Sequence, residues 1–108
     1  MPTYYKLVRD HIPEIIEKTG KKFTTKILNS TEYIEELKKK SFEELEEYVN
    51  ATNKEEAIEE LADVLEIIRA LADYHDISFE RLEEVRQEKA NKRGGFKERI
   101  FLIEVEDE

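Results

Sequence analysis

Apolar residues recur every three or four positions through most of the chain, which is the spacing of amphipathic helices. This pattern predicts four helices: about Pro13 to Lys18, Asn29–Thr31 to about Val49, Asn53 to about Tyr74, and Phe79 towards Arg93. Only a short break around Val49 to Lys54 separates the two long helices, so they must lie antiparallel. We therefore expect a mainly all-α fold, an antiparallel helical bundle.

Residues that cap helices stand at the expected boundaries. Asn29 and Glu32 have the spacing of a capping box, and so do Asn53 and Glu56. Ser78 is a candidate cap for the last helix, while Gly20 and Gly94-Gly95 follow the first and last helices and can end them.

Two stretches favour extended structure over helix. Phe23–Leu28 alternates and is rich in β-branched and aromatic residues, and Ile100–Ile103 is an apolar run of strand length. We expect one or two short peripheral strands, which could pair with each other or cross to a second subunit.

Both long helices carry pairs of acids one turn apart. At about 100° per residue, Glu44 lies inside the apolar arc of its helix, and Glu47 lies just outside that arc. In the next helix Glu60 again lies among apolar residues, and Asp63 lies on the border. Each pair thus puts one carboxylate where a packed helix normally has an apolar side chain.

Length and composition narrow the class of protein. A chain of 108 residues predicts a single helical domain over residues 1–108, small enough that self-association could bury part of its apolar surface. The net charge of −9 argues against nucleic-acid polymers and anionic membranes as partners. The absence of cysteine and of any run that could span a bilayer predicts a soluble, cytoplasmic protein.

Several buried carboxylates repel one another and lose hydration unless a cation compensates. Four oxygen ligands without cysteine favour Mg²⁺, with Mn²⁺ as a substitute. The alternative is that these acids form solvated helix faces or i,i+4 ion pairs, such as Lys40 with Glu44. A di-iron centre would need a histidine three residues after an acid, which His11 and His75 do not provide, so we expect both to be surface or turn residues.

Basic residues cluster near the end of the chain and, on a smaller scale, near its start. Lys89 and Arg93 could bind a polyphosphate held by the metal site, or they could pair with the acidic helices. For Lys6 and Arg9 we favour simple charge pairing.

The acidic residues occur within a recognisable signature. Lys40–Glu47 followed by Glu60–Glu66 resembles the Glu-Glu-x-x-Glu and Glu-x-x-Asp signature of the MazG-like all-α nucleoside triphosphate pyrophosphohydrolases. Lys6–Pro13 and Arg93–Phe96 resemble the flanking motifs of the small phosphoribosyl-ATP pyrophosphohydrolase-like branch. One departure is Ser41, where the family usually has leucine beside Lys40.

The resemblance implies roles for individual residues. Glu44, Glu47, Glu60 and Asp63 would form the catalytic Mg²⁺ site, and Lys40, Lys89 and Arg93 would contact the substrate. The reaction would split a nucleoside triphosphate into monophosphate and pyrophosphate by attack of water on the α-phosphorus. The resemblance also implies a homodimer or a dimer of dimers.

Three functions remain open. The first is a house-cleaning type of nucleotide pyrophosphohydrolase, and the second is phosphoribosyl-ATP hydrolysis in histidine synthesis. The third is a non-catalytic helical dimer that binds a nucleotide or a protein partner.

Overall fold

The computed structural model describes residues 2–107, which form four helices. They are α1 (Ile12–Lys18), α2 (Ser30–Val49), α3 (Lys54–Tyr74) and α4 (Phe79–Arg93). All four predicted helices are confirmed, and so is the all-α class. None of the helices in this part of the chain has the length and apolarity needed to cross a membrane.

The helix ends follow from local hydrogen bonds. The Asn29 side chain accepts a hydrogen bond from the Glu32 amide at 2.9 Å, and Glu32 accepts one in return from the Asn29 amide at 3.2 Å. This is the predicted capping box. At α3 the Asn53 side chain accepts from the Glu56 amide at 2.9 Å, but the Glu56 carboxylate accepts from Thr52 instead of Asn53. The second capping box is therefore only half formed, because its return hydrogen bond comes from the residue before the cap.

The α2–α3 pair is the main packing unit, joined by the four residues 50–53. The rings of Tyr33 and Tyr74 lie 6.4 Å apart, so the start of α2 lies beside the end of α3. α4 packs more lightly on α3, where the Arg69 guanidinium lies 4.6 Å from the centre of the Phe79 ring.

Only a small core is buried within one chain. Leu37 is 2% exposed, and Ile34, Ile67 and Ala72 are the other buried apolar residues of the described part. The radius of gyration is 18.7 Å, whereas a compact domain of this length has about 13 Å. Much of the apolar surface of α2 and α3 therefore remains uncovered in a single chain.

The predicted peripheral strands are wrong: residues 2–107 contain no β-strand. Phe23–Leu28 forms neither helix nor strand, and Ile27 is 97% exposed. At the tail, Arg99 has φ 58° and its amide donates to the Phe96 carbonyl at 3.1 Å, which makes a turn before Ile100–Ile103. An alternating pattern favours extended backbone, but a strand also needs a partner chain segment. The single domain over residues 1–108, which extends one residue beyond the described part at each end, stays a prediction.

Alkaline pH should destabilise the fold through Tyr33. Burial, followed by the nearby carboxylates of Asp10 and Asp73, raises the pKa of the Tyr33 hydroxyl. The folded chain therefore keeps this proton more tightly than the unfolded chain. The resulting stability is fully present below the unfolded pKa of about 10, and it is lost as the pH rises through the folded pKa.

Urea unfolding at about pH 8 and about pH 11 tests this expectation. The fall in midpoint between the two conditions should be smaller in Tyr33→Phe than in the parent protein, and Tyr5→Phe, at an exposed position, should behave like the parent. Equal falls in all three proteins would contradict it.

Candidate metal centre

The antiparallel pairing of α2 and α3 brings four acids together. Glu44 and Glu47 come from α2, and Glu60 and Asp63 from α3; one carboxylate oxygen from each lies within 4.8 Å of the others. Members of each pair are three residues apart and so share a helix face. The convergence expected of these four residues is what the structure shows, while their role as ligands stays a prediction.

The four carboxylates differ in burial. Glu44 is 8% exposed, Glu60 and Asp63 are half-buried, and Glu47 is exposed. This order follows the helical projection, in which Glu44 and Glu60 lie within the apolar arcs. Glu44 Oε2 and Glu60 Oε2 are buried and have no hydrogen-bond partner among the described residues. A buried carboxylate oxygen without a partner is costly, so these two atoms suit a bound cation.

The charges around Glu44 also leave its carboxylate poorly compensated. Burial, followed by repulsion from the Glu47 carboxylate, raises the pKa of the Glu44 carboxyl, and the Asp63 charge adds to the shift. The Lys40 ammonium, 3.5 Å from Glu44 Oε1, acts in the opposite direction without reversing it. The cluster thus carries more negative charge than its own surroundings neutralise.

These features suit a hard divalent cation. All four donors are carboxylate oxygens, the donor set that such ions prefer. Two of the oxygens are buried and unpartnered, and the exposed Glu47 leaves the cluster open to solvent and to a further ligand. The acidic cluster could therefore bind a divalent metal.

Two cations, Lys40 and Arg9, flank the cluster, and ion pairing was expected of both. The predicted Lys40–Glu44 pair is confirmed at 3.5 Å. Arg9 Nη2 lies 2.6 Å from Asp63 Oδ1. This contact confirms the charge pairing expected of Arg9, although the sequence did not identify Asp63 on α3 as its partner. That contact depends on the path of the chain rather than on spacing.

Other candidate residues lie outside this cluster. Lys89 and Arg93 are exposed on the last turns of α4 and form no ion pair with the four acids within the described residues. His11 Nδ1 lies 3.6 Å from Glu14, and the His75 ring lies edge-on to Tyr74, as expected of surface and turn residues.

The hydroxyl of Ser41 is satisfied within its own helix, where it donates to the Lys38 carbonyl at 2.6 Å.

Replacing the buried charge should stabilise the metal-free protein. Glu44→Gln keeps the shape of the side chain and removes the repulsion from Glu47, so we expect a gain in the free energy of unfolding at neutral pH on the order of 1 kcal/mol. Chemical unfolding in the presence of a chelator measures it. Glu43→Gln, an exposed neighbour, should leave stability unchanged. A loss of stability specific to Glu44→Gln would show that the pairing with Lys40 outweighs the repulsion.

Comparison with known proteins places these features in a family. The family model described as phosphoribosyl-ATP pyrophosphohydrolase matches residues 4–90, which include the four acids, Lys40, Lys89 and Arg9. The match ends before the Arg93–Phe96 motif. No curated protein and no solved structure matches the chain. The chain belongs to the phosphoribosyl-ATP pyrophosphohydrolase family of the MazG-like all-α superfamily, hydrolases that cleave phosphoanhydride bonds of nucleotides.

Proposed function

We propose that this chain is a Mg²⁺-dependent pyrophosphohydrolase of the house-cleaning type, which splits a nucleoside triphosphate into monophosphate and pyrophosphate. The observation that supports it best is the convergence of Glu44, Glu47, Glu60 and Asp63 within 4.8 Å, with two buried oxygens lacking a partner. Mn²⁺ should substitute for Mg²⁺, because both ions prefer oxygen ligands.

The four acids would bind the metal ion from two sides of the site. Glu44 and Glu60 would hold Mg²⁺ from the buried side, and Glu47 and Asp63 would do so from the rim. Bound there, Mg²⁺ would neutralise charge on the phosphates and make water a better nucleophile. Protein ligands that occupy only part of an octahedral shell leave positions for water and substrate phosphates, which is how Mg²⁺ is usually bound.

The chain offers a route for the proton of the attacking water. The water oxygen forms a bond to the α-phosphorus, the bond to the bridging oxygen breaks, and pyrophosphate leaves. A rim carboxylate accepts the released proton. Glu47 fits this role best, since it is the exposed member of the cluster. Lys40, 3.5 Å from Glu44, adds positive charge beside the site, and Lys89 and Arg93 remain proposed phosphate contacts.

Phosphoribosyl-ATP is the second candidate substrate, favoured by the description of the matched family. Both reactions cleave the same kind of phosphoanhydride bond and release pyrophosphate, so the acidic site serves either one. The two substrates differ in the base and sugar that the residues around the acidic site must accept. A non-catalytic binding role is the third candidate, and four converging acids argue against it.

We further propose that the chain works as a homodimer or a dimer of dimers. Its accessible surface is 10385 Å², whereas a compact monomer of this mass exposes about 6,300 Å². The excess is larger than the roughly 800 Å² that each partner buries in a standard interface.

The exposed apolar residues of α3 have a spacing that would let another helix pack against them. Ile58, Leu61, Leu65 and Ile68 follow one another at intervals of three, four and three residues and are all exposed. This is the spacing of the seam between paired helices. α2 carries a similar exposed set at Phe42, Leu45 and Val49. A second copy of the chain would bring the same exposed apolar residues and could cover both sets.

Removal of site carboxylates should abolish turnover without unfolding the chain. Glu44→Gln and Asp63→Asn should each reduce Mg²⁺-dependent pyrophosphate release by roughly 100-fold or more, because ligand charge is lost where phosphate charge develops. The assay screens canonical, deoxy and modified triphosphates and phosphoribosyl-ATP with Mg²⁺ and Mn²⁺. Glu43→Gln and Glu66→Gln serve as controls on exposed positions.

Unchanged turnover in both site variants would overturn the site assignment. Preference for phosphoribosyl-ATP would support the second candidate, and no release from any substrate with either ion would favour the non-catalytic role.

A charge placed on the α3 stripe should split the dimer. Ile58→Lys should halve the mass measured by light scattering in solution, because an unpaired ammonium would be buried between the copies. The chain itself should still fold, since Ile58 is exposed within it. Glu59→Lys, one residue away, should keep the parent mass; a parent protein that is already monomeric would contradict the proposal.

A further inference from the structure

Arg9 connects a distant part of the chain to the acidic cluster. Its contact with Asp63 joins residues 54 positions apart. Every other ion pair in the described part of the chain joins residues no more than seven positions apart. The N-terminal segment is therefore held on the bundle at the site itself.

The path of this segment places Arg9 at the rim of the cluster. Residues 5–7 lie against α2 beside Lys40 and Glu43. The Arg9 carbonyl then accepts a hydrogen bond from the Ile12 amide at 3.1 Å, in the turn that leads into α1. The segment thus runs from one acid-bearing helix to the other, and its backbone is anchored next to the side chain that reaches Asp63.

The Arg9 guanidinium retains unused donors. It carries five N–H groups, and Nη2 is the atom that contacts Asp63. The described residues show no hydrogen bond from Nε or Nη1, and the side chain is 57% exposed. An exposed ion pair of this kind stabilises a fold by about 1 kcal/mol or less. Stability alone is thus a weak reason for a guanidinium at this position.

Charge at the site also favours an anion beside Arg9. The four carboxylates are flanked by two cations, Lys40 and Arg9. A divalent ion bound by the acids would leave the cluster and its flanking cations close to neutral overall. A polyphosphate that approaches from the open side would then meet little net repulsion, and it would meet a planar guanidinium whose fork matches phosphate oxygens.

We propose that Arg9 is a substrate-binding residue that donates hydrogen bonds to the polyphosphate of the substrate beside the acidic site. The inference rests on the proposed function for its substrate class. It assigns a phosphate contact to the N-terminal segment, whereas the sequence favoured substrate contacts at Lys40 on α2 and at Lys89 and Arg93 on α4.

Calorimetric titration of the full chain tests the proposal in two steps. The first titrates Mg²⁺ alone; the second titrates inorganic tripolyphosphate in saturating Mg²⁺. Arg9→Ala should weaken tripolyphosphate binding about tenfold or more, while its affinity for Mg²⁺ alone stays within about threefold of the parent. Arg9→Lys should recover part of the affinity, because it keeps the charge but loses the fork.

Arg81→Ala is the matched control. Arg81 is 56% exposed and pairs with Glu84 at 3.0 Å on α4, so its removal costs a similar surface ion pair, and tripolyphosphate binding should not change. Circular dichroism verifies that each variant is folded.

Three results would overturn the assignment. One is unchanged tripolyphosphate binding in Arg9→Ala, and another is an equal loss of affinity for Mg²⁺ alone, which would show that Arg9 only holds Asp63. The third is a parent protein that binds no tripolyphosphate with Mg²⁺ or Mn²⁺. If the parent binds tripolyphosphate through Arg9 but releases no pyrophosphate from any nucleotide, the proposed function fails and the assignment of Arg9 stands.

Discussion

The antiparallel alignment of α2 with α3 is the constraint on which the rest of the structure depends. Tyr33 and Tyr74 touch at one end of the pair, and residues 50–53 close the other end. Moving eleven residues forward from Tyr33 and eleven back from Tyr74 arrives at Glu44 and Asp63. Three further steps arrive at Glu47 and Glu60. Because both helices rise by about 1.5 Å per residue, the same alignment that pairs the aromatic rings also assembles the acids.

This alignment places the charged Glu44 side chain in the small buried core. Few apolar residues are buried within one chain, and Glu44 takes one of the buried positions. The cost of that choice is visible in its raised pKa and in the unpartnered Oε2 atom. Lys40, which pairs with Glu44, and Arg9, which pairs with Asp63, offset part of the negative charge. Stability has been given up at the point where a bound cation would restore it, a common relation between folding and function.

Local signals made the helices predictable. Asn29 with Glu32, the Ser78 cap and the glycine after α4 act over a few residues, and each lies where the sequence indicated. Helical projection also separated the buried Glu44 from the exposed Glu47, because the direction of a side chain follows from its position along a helix. Both kinds of information are contained in short stretches of sequence.

What could not be predicted depends on contacts between distant segments. The alternation in Phe23–Leu28 predicted a strand, but it could not supply the neighbouring strand that a sheet requires. The sequence indicated that self-association could bury part of the apolar surface, but the period of α3 alone did not show that Ile58 and Leu61 are among the residues left exposed in one chain. Arg9 reaches Asp63 only because of the route taken by the N-terminal segment, which no spacing rule encodes.

The location of all four acids on one helical hairpin has an evolutionary consequence. The hairpin from Glu44 to Asp63 occupies a short continuous stretch, and the N-terminal segment and α4 lie outside it. Mutations in α4, or in the N-terminal segment away from Arg9, can therefore change the surroundings of the site without altering a carboxylate or its ion pairs. A scaffold built in this way can change its substrate in small steps while the bond that it breaks stays the same.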